Sequence, residues 1–135
     1  MGARDRIQEF LTRFGKERGF DAALDANGQG QVARGSATVH VRVLDEHGVL
    51  LVMSPVAKVP AEGREAFYRR LLELNFLVTS DAAFAIDKDK DAVYLRALRR
   101  LSGLDYEEFE DLLHTMASVA DEWDDRLAQI FSPDR

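Results

Sequence analysis

The spacing of apolar residues changes period four times along this chain, and such a change decides which class of fold a sequence can enter. Between Arg4 and Arg18, Ile7, Phe10, Leu11 and Phe14 fall at i, i+3, i+4 and i+7, one stripe of a helix. Gly19, just after Lys16 and Arg18, predicts the helix end, because glycine takes the left-handed conformation that closes a helix and cations suit its last carbonyls. From Asp25-Ala26-Asn27-Gly28 onward the period is two: Gln31 to Arg34 reads as one strand, and Val39, Val41 and Val43 alternate with His40 and Arg42 in the next. Asp45-Glu46-His47-Gly48 then connects to the apolar run Val49 to Val52, which predicts a hairpin, and Pro55 and Pro60 are expected to bracket the exit from the sheet.

Residues 61–75 return to helical spacing with two adjoining stripes, Phe67, Leu71 and Leu74 on one side and Tyr68, Leu72 and Asn75 beside it. A helix this broadly apolar needs two partners. The sheet supplies one, and a second copy of the chain is the natural other, so a homodimer is expected. Ala83 to Asp87 and Ala92 to Leu98 form a second hairpin across Lys88-Asp89-Lys90-Asp91. Asp105, with Glu108 three residues later, resembles a capping box opening a long last helix. Its stripe is Phe109, Leu112, Leu113, Met116, Ala120, Trp123, Leu127 and Ile130. The predicted order is α-β-β-β-α-β-β-α, an α+β fold with an antiparallel sheet and helices packed on it, in a single domain over 1–135.

With 135 residues, 46% of them hydrophobic and 31% charged, the chain has room for one compact core. The absence of cysteine removes disulfides, thiol catalysis and cysteine-ligated zinc. No run of apolar residues is long enough for a membrane span or a secretory signal, so a soluble intracellular protein without membrane insertion is expected. The formal charge of -6 is uneven: residues 101–135 hold 10 Asp/Glu against 2 Lys/Arg. An acidic end of this kind repels phosphate backbones, and the basic pairs Arg69-Arg70 and Arg99-Arg100 do not outweigh it, so no nucleic acid is expected.

Three patterns imitate chemistry. Asp87, Asp89 and Asp91 begin like a calcium loop, but Ala92 stands where glycine makes the sharp turn and Leu98 where a bidentate glutamate closes the shell, so a hairpin turn is expected. Gly28, Gly30 and Ala33 fit G-x-G-x-x-A, yet the motif leads into a strand with no helix behind it to hold a pyrophosphate. Glu110, His114 and Ser118 share one helix face outside the apolar stripe, where no oxyanion donor and no exclusion of water accompany them. Nor do His40 and His47 have a second histidine at ligand spacing. No catalytic residue, metal or cofactor is expected.

Leu71-Leu72-Glu73-Leu74-Asn75-Phe76-Leu77, then Ala83-Phe84-Ala85-Ile86-Asp87, Val93-Tyr94-Leu95, Leu104-Asp105 and the closing Ala120-Asp121-Glu122-Trp123 together resemble the class I type III secretion chaperones of the Tir-chaperone (CesT-like) family. The resemblance implies a homodimer in the bacterial cytoplasm that binds the N-terminal chaperone-binding segment of a secreted effector, keeps it non-globular and delivers it for secretion. It places the dimer contact at Phe67, Leu71, Leu74 and Phe84, and the effector contact at Phe10, Phe14, Val32 and Val39. A regulatory relative of the same fold, of the YbjN type or sequestering a transcriptional regulator, is the alternative.

Overall fold

The structure is a computed structural model that describes residues 2–77 and 82–131, with the side chains of residues 77, 130 and 131 outside the description. Along the chain run α1 (Ala3–Arg18), β1 (Gln29–Arg34), β2 (Ala37–Leu44), β3 (Val49–Lys58), α2 (Arg64–Leu77), β4 (Ala83–Asp87), β5 (Ala92–Arg100) and α3 (Tyr106–Phe131), with a 3-10 turn at Asp45–His47. The five strands form one antiparallel sheet in the order β1-β2-β3-β5-β4. This is the α+β order that the changes of period predict.

Alternation along the strands gives the sheet one apolar face. Val39, Val41 and Val43 on β2, Leu50 and Val52 on β3, and Val93, Leu95 and Ala97 on β5 are all buried, and the residues between them are not. Onto this face α3 lays Phe109, Leu112, Leu113, Met116, Ala120, Trp123 and Leu127, every one buried. Ile130, the last position of the predicted stripe, has its side chain outside the described residues. Asp105 caps α3 by accepting the Glu108 N–H at 2.8 Å, satisfying one of the donors that a helix start leaves free. α1 buries Ile7, Leu11 and Phe14 and ends at Gly19 with φ 82, its N–H returning to the Gly15 carbonyl as a left-handed cap requires.

Pro55 lies inside β3 instead of at its exit, since the strand continues to Lys58. A shift of register between Pro55 and Ala57 accommodates it, because a bulge is where a central strand can spare the N–H that proline lacks. Ser54, beside it, is fully buried and donates its hydroxyl to the Thr38 carbonyl at 2.7 Å.

Candidate functional site

Helices cover one face of the sheet and leave a gap between them over β1. Phe14 and Arg18 of α1, Phe20 beyond its cap, Val32, Ala33 and Arg34 of β1, and Leu113, His114 and Ala117 of α3 line a groove of about 480 Å³. Its floor is apolar and firmly supported. Phe14 meets Phe20 and Phe109 edge-on at 6.0 and 6.4 Å, and Phe10 packs on Tyr106 and Phe109 at 5.8 and 5.5 Å, which fixes α1 against α3. The rim is cationic. Arg18 stacks over the Phe14 ring at 3.9 Å and donates to Glu110 at 2.9 Å. Burial works against its charge, and the Glu110 hydrogen bond and charge outweigh that and raise its pKa above the ordinary value. Arg34 donates to His114 Nδ1 across the groove mouth.

β1 is an edge strand. Its first residues are flanked by the preceding loop, where the Asp25 N–H donates to the Gln29 carbonyl at 2.7 Å. From Gln31 to Arg34, no backbone hydrogen bond outside the β2 ladder is made among the described residues. The groove therefore adjoins a row of unsatisfied main-chain donors and acceptors, which is a template for another strand.

The opposite edge of the sheet is managed differently. On α2, Phe67, Leu71 and Leu74 face inward and are buried, as is Phe84 of β4. Of the second stripe, Leu72 is 70% exposed while Tyr68 and Asn75 are half-buried; Phe76, which belongs to neither stripe, is 88% exposed, and Ile86 of β4 is 40% exposed. Asn75 clamps helix to strand, its side-chain carbonyl accepting the Phe84 N–H at 2.7 Å and its amide donating to the Phe84 carbonyl at 3.2 Å. A side-chain amide has the same donor and acceptor as a peptide group, so it completes this residue of β4 as a neighbouring strand would. Asn75→Ala is expected to cost about 1 to 2 kcal/mol, because it orphans both groups of a half-buried edge. Denaturant unfolding checks it, with Asn75→Gln, whose reach is one methylene too long, recovering less than half.

The residues that sequence reasoning singled out fall as follows. Phe14, Val32 and Val39 are buried in the single chain and Phe10 is half-buried against the same core; Phe14 and Val32 line the groove, and Val39 is the cross-strand partner of Val32 behind its floor. Phe67, Leu71, Leu74 and Phe84 lie beneath the exposed patch formed by Leu72, Phe76 and Ile86. The second stripe was visible at Tyr68, Leu72 and Asn75, but spacing alone does not say which stripe the sheet covers. Asp87 spends a carboxylate oxygen on the N–H groups of Asp89 and Lys90, and Asp91 pairs with Arg64 at the start of α2, so the acidic triplet forms a turn and an ion pair. Gly28 turns the chain at φ 76. Glu110 and His114 are divided between Arg18 and Arg34. Among the described residues, no group of three or more His, Cys, Asp or Glu is placed to hold a metal ion, and no helix is long and apolar enough to cross a membrane.

No curated protein sequence matches the chain. Among solved structures it is similar to a chain of the ExsC-ExsE complex, with a TM-score of 0.79 and 25% identity over 94% of this chain and 97% of that one. It also shares its fold with a chain of the heterodimeric complex ExoU-SpcU from the type III secretion system of Pseudomonas aeruginosa, with a TM-score of 0.66 and 17% identity over 94% and 98% of the two chains. A third likeness is to a chain of the Yersinia pestis type III secretion chaperone SycH in complex with a stable fragment of YscM2, with a TM-score of 0.63 and 18% identity over 86% and 98%. The sequence model of one family matches residues 9–124, nearly the whole domain: the chain belongs to the Tir chaperone protein (CesT) family.

Proposed function

We propose that the protein is a bacterial cytoplasmic chaperone of type III secretion, a homodimer that binds an extended N-terminal segment of a secreted effector, keeps it non-globular and presents it for export. The observation that carries this is the apolar groove of Phe14, Val32 and Leu113 lying beside the open edge of β1. A segment added along Gln31–Arg34 forms main-chain hydrogen bonds that are indifferent to its sequence, while every second side chain enters the groove. Ordering such a segment costs about 1 to 2 kcal/mol per residue. Several apolar contacts are therefore needed, and the groove offers Phe14, Phe20, Val32 and Leu113 together. Phe10 and Phe14 support the floor, with Val39 behind Val32. Binding alone accounts for these features, and no reaction is assigned to them.

The exposed patch of Leu72 and Phe76 with Ile86 supports the dimer, and Phe67, Leu71, Leu74 and Phe84 hold that patch from below. Pull-down of the client from the native bacterium, with identification of the bound chain by mass and limited trypsin digestion of the complex, tests the chaperone function. A protected N-terminal fragment of the client is expected to co-purify with the chain. His114→Trp, which covers the groove from its exposed rim on α3, is expected to weaken protection strongly while the melting temperature stays near that of the wild type. A client digested as fast with the chaperone as without it would defeat the proposal.

A further inference from the structure

The hydrogen-bond alternation of β1 determines which positions of a bound strand meet the groove. The Gly28 carbonyl accepts the Val43 N–H at 2.8 Å from the β2 side, and the Gln29 carbonyl accepts the Asp25 N–H at 2.7 Å from the open side. An antiparallel ladder alternates in this way, so the even-numbered residues of β1 bond to β2, and the main-chain groups of Gln29, Gln31 and Ala33 turn outward. Asp25 has taken the Gln29 carbonyl, which leaves Gln31 and Ala33 to a new strand. Such a strand is centred on Val32. Period two puts Gly30, Val32 and Arg34 on the helix side of the sheet, where a Cβ on Gly30 would meet Leu11 and where Arg34 reaches His114 of α3. Gly30 adds no side chain to this row, and the turn at Gly35 and Ser36 ends it.

The two remaining positions differ in kind. Val32 is buried and lines the groove with Phe14 and Leu113. Arg34 is exposed at the mouth, donates to His114 Nδ1, which is a neutral acceptor, and has no carboxylate within ion-pair distance among the described residues. A guanidinium carries five N–H donors in a fork that matches both oxygens of a carboxylate, so one bond to an imidazole leaves donors and the whole positive charge for a ligand. Among the described residues no acid lines the groove. The acids around it are committed: Glu110 accepts from Arg18 at 2.9 Å, and Asp121 accepts the Ser36 N–H at 3.2 Å together with its hydroxyl, which Asp124 shares at 2.7 Å. Of the two rim cations, Arg18 is balanced by Glu110 and Glu17, and Arg34 is not balanced.

We infer that Arg34 is a specificity-determining residue of the groove, and that the client strand carries Asp or Glu two positions from the apolar side chain it lays over Val32. The inference rests on the chaperone function proposed above and adds the chemistry of the client: a large apolar residue and a carboxylate, two apart. That spacing holds whichever way the strand runs, because Val32 and Arg34 are themselves two apart and reversing the strand reverses only the order of the pair. Side chains opposite one another on antiparallel strands stand about 4.5 to 5.5 Å apart at Cβ, where opposite charges attract and like charges repel. In an antiparallel addition Val32 and Arg34 both face their partners at the non-hydrogen-bonded positions, where side chains are closer.

Selection from a random dodecapeptide display library on the full-length protein tests the inference, with His114→Trp, which covers the groove, identifying the peptides held there. Peptides that bind the wild type and are released by His114→Trp are expected to combine a large apolar residue with Asp or Glu two positions away. In synthetic copies, Lys in place of that acid is expected to weaken binding to the wild type about three- to tenfold, and to strengthen binding to Arg34→Glu by a similar factor. A purely structural role for Arg34 gives no such exchange. Arg34 is exposed, and the melting temperatures of Arg34→Glu and Arg34→Gln control for folding. Groove-bound peptides that lack the acid, or an acid whose change to Lys both proteins feel alike, overturn the role of Arg34 and leave the chaperone function intact. If no enriched peptide is released by His114→Trp, the groove itself is not the binding site, and the inference and the function proposed above fail together.

Discussion

Leu72→Glu/Phe76→Glu is expected to turn the protein from a dimer into a monomer that remains folded. Both side chains stand in solvent on α2, next to the 40%-exposed Ile86, and neither belongs to the buried core. Burying each of them contributes about 1.5 to 3 kcal/mol. Two-fold symmetry doubles every contribution, so four such side chains, joined by Ile86 and the half-buried Tyr68 from each copy, supply a gross gain of about 10 kcal/mol or more. That is the scale of the association cost, commonly put at 4 to 15 kcal/mol, so removing two of the four contributors on each side takes away most of the surplus. Two glutamates on each helix add like-charge repulsion across the two-fold axis.

The buried stripe gives the control. Leu71→Asp places a charge under α2, where it breaks the chain's own packing, and is expected to yield aggregate in place of a folded monomer. Sedimentation equilibrium and melting temperature, measured on both variants, separate the two stripes. Wild-type protein that sediments as a monomer at micromolar concentration removes the dimer from the proposal.

These stripes also show how far the sequence could be read. The periodicity of α1 and α3 and their end signals at Gly19 and Asp105 are local, determined within one or two turns, and they mark real helix ends. The two stripes of α2 were equally visible, but which one the sheet covers depends on the path that places α2 beside β4, and no local pattern encodes that path. Pro55 was legible as a break and proved to be a bulge, because bulging depends on the partner strand as much as on proline itself. The least legible feature is the helix-free face. Arg42 and Arg96 are 54 positions apart and become neighbours only through Leu51 and Met53 in the register of β3. Along the sequence Arg42 stands between two valines and Arg96 between Leu95 and Ala97, the ordinary appearance of an exposed strand position. The groove lies between these extremes: Phe14 and Val32 are legible as apolar, but the gap between α1 and α3 that makes them the floor of a groove is a property of helix placement.

Gly15→Ala is expected to destabilise the protein and to damage the groove with it, against what helix propensity alone would give. Gly15 is buried in the last turns of α1, where alanine is normally the better residue by about 1 kcal/mol. Here a Cβ would sit 2.3 Å from the Phe20 carbonyl oxygen, and the atom it meets is backbone that cannot rotate aside. Relief requires the chain after Gly19 to move away. That movement strains the two bonds that close the helix, from the Gly19 N–H and from the Phe20 N–H at 2.9 Å, both to the Gly15 carbonyl. Overpacking costs about 1 to 3 kcal/mol and each of the two weakened bonds up to about 1, so after the propensity gain of about 1 is subtracted the net loss reaches about 4 kcal/mol. For a domain of this size that lowers the melting temperature by up to roughly 15 °C. Phe20 is also a wall of the groove and the edge-on partner of Phe14, so client protection is expected to fall even at temperatures where the variant is fully folded. A melting temperature equal to or above the wild type's means that the loop yields freely and that Gly15 has no steric role. A lowered one with undiminished protection means that Phe20 takes no part in holding the client.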